Sequence, residues 1–135
     1  MYVCRVRVRH RDIVVVELPL IVDFHTEREV HDAVLDALTG DCRHLVLSLE
    51  HTRDFDSSGL NLLLGIRRHT KDHDISLSLT DLPPFIAKML SITRTDTVLA
   101  IHPTILEAIH AANSATSQDQ PMVREGPITS NRTWI

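Results

Sequence analysis

The sequence predicts a single α/β domain whose sheet contains parallel strand pairs. Three observations carry this. From Leu45 onwards, strand-like and helix-like segments alternate, the pattern of βαβ units joined by right-handed crossovers. Ahead of them, two strand-like runs, Tyr2–Val8 and Ile13–Leu18, flank the polar turn His10-Arg11-Asp12 and form a hairpin. The chain has 135 residues, and about 110 of them have foldable composition, enough for one core.

Each element has its own signature. In the first strand Cys4, Val6 and Val8 alternate with Arg5, Arg7 and Arg9, which describes a half-buried strand. Ile13 to Leu18 is apolar and rich in β-branched residues. Thr26 to Leu38 is the best helix: Val30, Ala33, Val34, Ala37 and Leu38 follow the i, i+3, i+4, i+7 spacing. Thr26 and Glu29 fit a capping box at its start, and Gly40 is placed to end it. Leu45 to Leu49 reads as a buried strand. A helix runs from Ser57 to about Lys71, and Ile75 to Leu79 is the next strand. Pro83-Pro84 opens a helix carrying Ile86, Met89 and Leu90, and Val98 to Ile101 is a short strand. Pro103 leads the last helix, with Thr104 and Glu107 as a second capping box and Ile105, Ala108, Ile109 and Ala112 as its apolar stripe. At Asn113 the composition turns to Ser, Thr, Gln, Asn and Pro without apolar period. The expected division is a domain over 1–112 and a flexible polar tail over 113–135.

Composition excludes several function classes. Net charge is −4, which disfavours direct binding to nucleic acid or an anionic membrane. Aromatic residues make up 4 % of the chain, too few for base-stacking platforms. Cys4 and Cys42 are far apart and match no metal or redox spacing, so a reducing cytoplasm is the simplest setting. The N-terminal residues lack the apolar segment of a signal peptide. No apolar run approaches the roughly 20 residues that span a bilayer. Without a secretory signal, the sequon Asn131-Arg132-Thr133 carries no meaning, and no phosphate-cradling P-loop occurs.

The segment Phe55-Asp56-Ser57-Ser58-Gly59-Leu60 carries the most chemistry. It places an acid, two hydroxyls and a glycine where a helix begins. A helix N-terminus offers unpaired N–H groups and the positive end of its dipole. A phosphate on a serine there is locally stabilised and changes surface charge by roughly −2 at pH 7. The plainer reading is an ordinary N-cap, for which Asp and Ser are standard. The loop from Glu50 to Phe55 follows the carboxyl end of a predicted parallel strand, where sites gather in open α/β sheets.

Four further patterns have two readings each. A serine nucleophile elbow needs glycine two before and two after the serine, and Phe55 stands in the first position. His69 and His73 have i, i+4 spacing with Asp72 and Asp74 nearby, but no third-ligand pattern accompanies them. Solvated residues at a helix end explain them better, and no metal or cofactor is expected. Arg5, Arg7, Arg9 and Arg11 form either an anion-binding stripe or a charged edge strand protected against sheet-to-sheet pairing; the acidic total favours the edge. The helix after Ser57 has two apolar stripes, Leu60/Leu63/Leu64 and Leu62/Ile66. Either both are buried, or one packs on the sheet and the other meets a partner.

These motifs, in this order and at these separations, resemble the STAS domain family, and within it the bacterial anti-sigma factor antagonists. The resemblance covers about Val3 to Ala112. It rests on Arg43-His44-Leu45-Val46-Leu47-Ser48-Leu49 followed by Phe55-Asp56-Ser57-Ser58-Gly59-Leu60-Asn61. Val22-Asp23-Phe24-His25-Thr26 leading into the first helix supports it, as does Pro84 to Leu99 continuing to His102-Pro103 and Ala108. The resemblance implies an α/β domain with a mixed four- or five-stranded sheet flanked by about four helices. It implies a non-enzymatic cytoplasmic regulator that acts by partner switching. The unphosphorylated form binds an anti-sigma factor serine kinase and frees a sigma factor. Phosphorylation at Ser57, with Ser58 as second choice, breaks the complex, and a phosphoserine phosphatase restores it.

Carried over by position, Asp56 is the preceding acid, which caps and orients the loop. Asp23 and Thr26 belong to a neighbouring loop of the partner surface. On the residues alone, Gly59 permits close approach of a partner, and Ser58, Leu62 and Ile66 complete the candidate contacts. The chain departs from the family at Leu20-Ile21, where Gly-Glu is usual, and at His73-Asp74, where a Gly-rich turn is common. The competing reading is an unswitched STAS scaffold in a signalling assembly or transporter complex.

Overall fold

The computed structural model describes residues 4–10, 12–38 and 40–119. Its strands are β1 (Arg5–His10), β2 (Ile13–Glu17), β3 (Ile21–Val22), β4 (His44–Ser48), β5 (Asp54–Phe55), β6 (Ser76–Thr80) and β7 (Ala100–His102). Its α-helices are α1 (Glu27–Ala37), α2 (Ser57–Asp72), α3 (Pro84–Ile92) and α4 (Ile105–Asp119), with a single 3-10 turn at Thr95–Thr97. The main sheet is mixed and five-stranded, in the order β1-β2-β4-β6-β7. β1 and β2 form the expected antiparallel hairpin, and the other neighbours run parallel. β3 and β5 make a separate two-residue parallel ladder.

The alternation of strand side chains divides the interior into two layers. Val14, Val16, Leu45, Leu47 and Leu79 face a large core that also takes Val30 and Val34 of α1, Leu62, Leu63 and Ile66 of α2, and Ile86 and Leu90 of α3. Ile13, Val15 and Val46 face the opposite way and pack with Ala108 of α4, flanked by Ile105, Ile109 and Ala112. Every residue of β4 is buried, as a central parallel strand covered on both faces requires. Each fully buried Leu, Val or Ile stabilises the fold by roughly 1.5–3 kcal/mol relative to exposure.

The structure departs from the sequence expectations at several places. The alternation of β1 is broken by a register shift: Val6 opposes Val16, but Val8 opposes Val15. The inserted residue, Arg7, bends the strand as a β-bulge does. Cys4 is half-buried and Val6 is exposed, so this face is not the clean apolar one that spacing implied. The side chain of Arg9 and all of Arg11, members of the expected arginine stripe, lie outside the described residues, as do Tyr2 and Val3. Thr26 is the N-cap of α1 but makes no side-chain cap bond, so the Thr26/Glu29 capping box does not form. Gly40 does not end α1 in a left-handed turn: the helix closes at Leu38 in an extended conformation, and no described glycine has positive φ. At α4 half of the expected box is present, with Glu107 N–H donating to Thr104 Oγ1 at 3.2 Å. That helix continues through Asn113 to Asp119, because its Ala, Ser, Thr and Gln residues do not stop a helix that is already nucleated. Residues 120–135, with the Asn131 sequon, lie outside the described residues.

The end of α2 closes without a glycine. Asp74 adopts φ 57°. Its N–H donates to Lys71 O at 3.3 Å, and Ile75 N–H donates to Thr70 O at 2.8 Å. This is a Schellman closure with aspartate in the left-handed position that glycine usually fills. The conformation costs an L-residue roughly 1–2 kcal/mol, partly offset by a stiffer unfolded chain. Asp74→Gly is therefore expected to raise stability by up to about 1 kcal/mol in urea unfolding.

Candidate functional site

The site forms where the β3–β5 ladder hands both of its chains to helices. Val22 is paired with Phe55 in parallel register. Asp23 and Asp56 are the next residues on the two strands, so two segments 33 positions apart leave the ladder side by side. The connection from β4 is fastened first. Thr52 is fully buried, and its Oγ1 donates to Pro19 O at 2.9 Å. Leu20 O then accepts from Arg53 N–H at 2.8 Å and from Asp54 N–H at 3.1 Å. These bonds satisfy backbone that would otherwise be unpaired in a loop.

On the α2 side, Asp56 is the N-cap in an extended conformation, and its Oδ1 accepts from Ser58 N–H at 2.8 Å. Asp56 O accepts from Gly59 N–H at 2.8 Å. Ser57 is the first residue of the helix and is exposed. Ser58 is half-buried, its N–H already taken by the cap. Of the two hydroxyls, Ser57 is therefore the more open to an enzyme. The first helical turn adds its unpaired N–H groups and positive dipole end to that position.

Gly59 has a different role from the one that spacing implied. It is buried, and a Cβ there would stand 2.5–2.7 Å from ring atoms of Phe55. Glycine lets the aromatic ring press against the helix start, so its close approach is to Phe55 and not to a partner. Leu62 and Ile66 require the same correction. They are 1 % and 0 % exposed and belong to the main core. The Leu62/Ile66 stripe is fully covered and Leu63 with it, while Leu60 and Leu64 are half-buried; the helix packs on α1 as well as on β6. Leu62 and Ile66 hold the helix in place and contact nothing outside.

On the α1 side, Asp23 and Thr26 are half-buried and build a compact turn. Asp23 Oδ1 accepts from His25 N–H at 2.9 Å and Thr26 N–H at 3.2 Å. Thr26 Oγ1 accepts from Asp23 N–H at 3.0 Å and lies 3.0 Å from Ile21 O, to which it donates. With its hydroxyl used this way, Thr26 cannot cap its own helix. The turn pushes Leu20, Ile21 and Phe24 outward, and all three are exposed. Sequence reasoning missed them, although three large apolar residues within the five positions from Leu20 to Phe24, with no strand long enough to bury them, were a usable signal.

Other constellations resolve into structure. His69 and His73 stack with ring centroids 4.2 Å apart, and His73 Nδ1 lies 2.9 Å from His69 O. Desolvation, then the neighbouring His73 and His31, hold the His69 pKa below its ordinary value, which suits a neutral stacked ring. Burial, with a smaller push from Glu29, raises the Cys4 thiol to about 12, so it stays protonated and unreactive. Glu17, Glu50 and His51 bring ligand atoms within 4.8 Å of one another. The Arg7 guanidinium already sits there, donating to Glu17 Oε2 at 2.8 Å, and supplies the positive charge that the carboxylates need. Among the described residues no helix is long and apolar enough to cross a membrane.

The profile of the STAS domain family matches residues 5–108. A curated relative, the anti-sigma F factor antagonist of Paenibacillus polymyxa, is 27 % identical over 101 residues, covering 74 % of this chain and 86 % of the relative. Two solved structures share the fold. An anti-sigma factor antagonist from Mycobacterium paratuberculosis superposes with a TM-score of 0.71 at 18 % identity, covering 82 % of this chain and 94 % of the other. The phosphorylated form of the Bacillus cell fate determinant SpoIIAA gives 0.62 at 22 % identity, covering 81 % and 98 %.

The glycine contacts make a paired prediction. Gly59→Ala should destabilise the protein by about 1–3 kcal/mol, because the Phe55 ring must leave its seat. Gly40→Ala, where a Cβ meets nothing within 4 Å, should be neutral or slightly stabilising. Urea denaturation of both variants is the check.

Proposed function

The chain belongs to the STAS domain family, and we propose that it acts within that family as an anti-sigma factor antagonist that works by partner switching. The observation that carries this reading is the exposed Ser57 at the first position of α2, beside the Asp56 cap. The curated relative and the similar folds support the antagonist role. In this reading the unphosphorylated chain binds an anti-sigma factor serine kinase in the cytosol, and the sigma factor is freed. The kinase then transfers a phosphoryl group from ATP to Ser57 Oγ. A phosphoserine phosphatase removes it and resets the chain.

The physical argument has two halves. Within the antagonist, phosphate at Ser57 is tolerated, since the helix start offers N–H donors and a favourable dipole. The backbone there is held by the Asp56 cap and the Leu20 bonds, so the fold has no need to change. Within a complex, the same phosphate brings roughly −2 charge next to the exposed carboxylates of Asp54 and Asp56. Burying these like charges together against a partner opposes binding. A coupling of roughly 1–3 kcal/mol changes affinity about 5- to 150-fold, enough to redistribute a limiting partner. The protein needs no catalysis of its own for this role, and its net charge of −4 argues against direct contact with DNA.

The test compares wild type, Ser57→Ala and Ser57→Asp as baits in native cytosol, with bound proteins identified by mass spectrometry. A kinase-type anti-sigma factor should be retained by wild type and Ser57→Ala and lost by Ser57→Asp. Identical partners on all three baits, or none, would mean that the helix start is a cap without a switch, and an unswitched scaffold would be the better description.

A further inference from the structure

The largest exposed apolar side chain beside the site is Phe24, at 77 % exposure, with Leu20 at 54 % and Ile21 at 38 %. A lone exposed leucine needs no explanation, but these three crowd one turn. The hydrogen bonds of Asp23 and Thr26 fix the backbone on either side of Phe24. Among the described residues the aromatic contact of its ring is edge-on to exposed His25, with centroids 5.4 Å apart, and its other neighbours are polar side chains of α1, Glu27, Arg28, His31 and Asp32, around an open depression.

The occupant follows from continuity with Ser57. Val22 and Phe55 are paired, Phe24 lies two residues beyond one, and Ser57 lies two residues beyond the other. Four Cα steps and one strand spacing bound the separation of Phe24 and Ser57 at roughly 20 Å. A specific interface covers roughly 800 Å² on each partner, a patch roughly 30 Å across. Phe24 and Ser57 therefore fit within one such patch, and a protein seated between them covers both. Aromatic residues are enriched at the buried centre of such patches, and a few such anchors carry most of the affinity. Resting on the function proposed above, we infer that Phe24, flanked by Leu20 and Ile21, is the anchor that inserts into an apolar socket on the anti-sigma factor. Asp23 and Thr26 set the angle of the anchor and contribute no contact of their own. Leu20 and Ile21, exposed beside the ring, then make this turn a determinant of which anti-sigma factor is accepted.

The experiment titrates the purified serine-kinase anti-sigma factor retained by the Ser57→Ala bait against full-length variants by calorimetry. Phe24→Ala is expected to weaken binding by about 30-fold or more, the level that marks an anchor residue. Leu20→Ser is expected to weaken it less. Leu106→Ala, which removes a 76 % exposed leucine on α4 across the sheet, should bind as wild type. Urea unfolding midpoints should not fall for Phe24→Ala, since the ring supports no core. If Phe24→Ala stays within about threefold of wild type while Ser57→Asp loses binding, the anchor is refuted and the switch stands. If Phe24→Ala instead dissociates a self-associated form in light scattering and leaves partner affinity unchanged, the turn is a homotypic contact and the inference fails. If the wild type binds no anti-sigma factor, the functional reading falls and the anchor falls with it.

Discussion

The carbonyl of Leu20 is the fastening on which the site depends. It accepts from two successive N–H groups, Arg53 and Asp54, and so ties the segment leaving β4 to the segment leaving β2. Buried Thr52 doubles the tie through Pro19 O. Neither β3 nor β5 is long enough to persist alone, since an isolated pair of short strands is marginal in water. The ladder exists because the main sheet delivers both chains to its edge already aligned, through the parallel pairing of β2 with β4. Everything chemical about the site, from the Asp56 cap to the Asp23 turn, is laid down on that seam.

The seam also explains which parts were legible in the sequence. β2, β4 and α2 declared themselves because each buries a face of its own, and burial writes a period into the residues. Asp56 as a cap was legible because capping is local chemistry: a side-chain oxygen meeting an N–H two residues on. Thr26 misled for the same reason. Its spacing to Glu29 fits a capping box, but its hydroxyl is claimed by Ile21 O and Asp23 N–H, partners set by the turn and invisible to spacing. The second stripe of α2 could not be assigned from sequence either. Whether Leu62 and Ile66 meet solvent, a partner or α1 is decided by where α1 lands, and that is a tertiary fact. Strands of two residues, β3 and β5, have no period at all.

Charge and packing divide the labour at this site. The apolar layers fix the backbone: α2 is held on two sides, and Phe55 is seated on Gly59. Against such a frame, a charge added at Ser57 has little to deform. In the proposed switch its effect would fall on what the surface accepts, and much less within the domain. The stacked His69 and His73 rings and the Arg7–Glu17 pair lie in other parts of the molecule and close local polar accounts of their own.

The main sheet ends in two unlike margins, β1 and β7. β7 offers three residues of open edge, and β1 is bent by its bulge and carries exposed Arg5 and Arg7. Short, kinked and charged edges are poor templates for adding a foreign strand. A regulator that competes for a scarce partner is effective only in proportion to the number of free molecules present. If copies stuck to one another edge to edge, doubling the amount made would not double the amount able to act. In the proposed role the shape of these margins bears on dosage: by disfavouring edge-to-edge pairing it would keep the response proportional to how much of the chain is made.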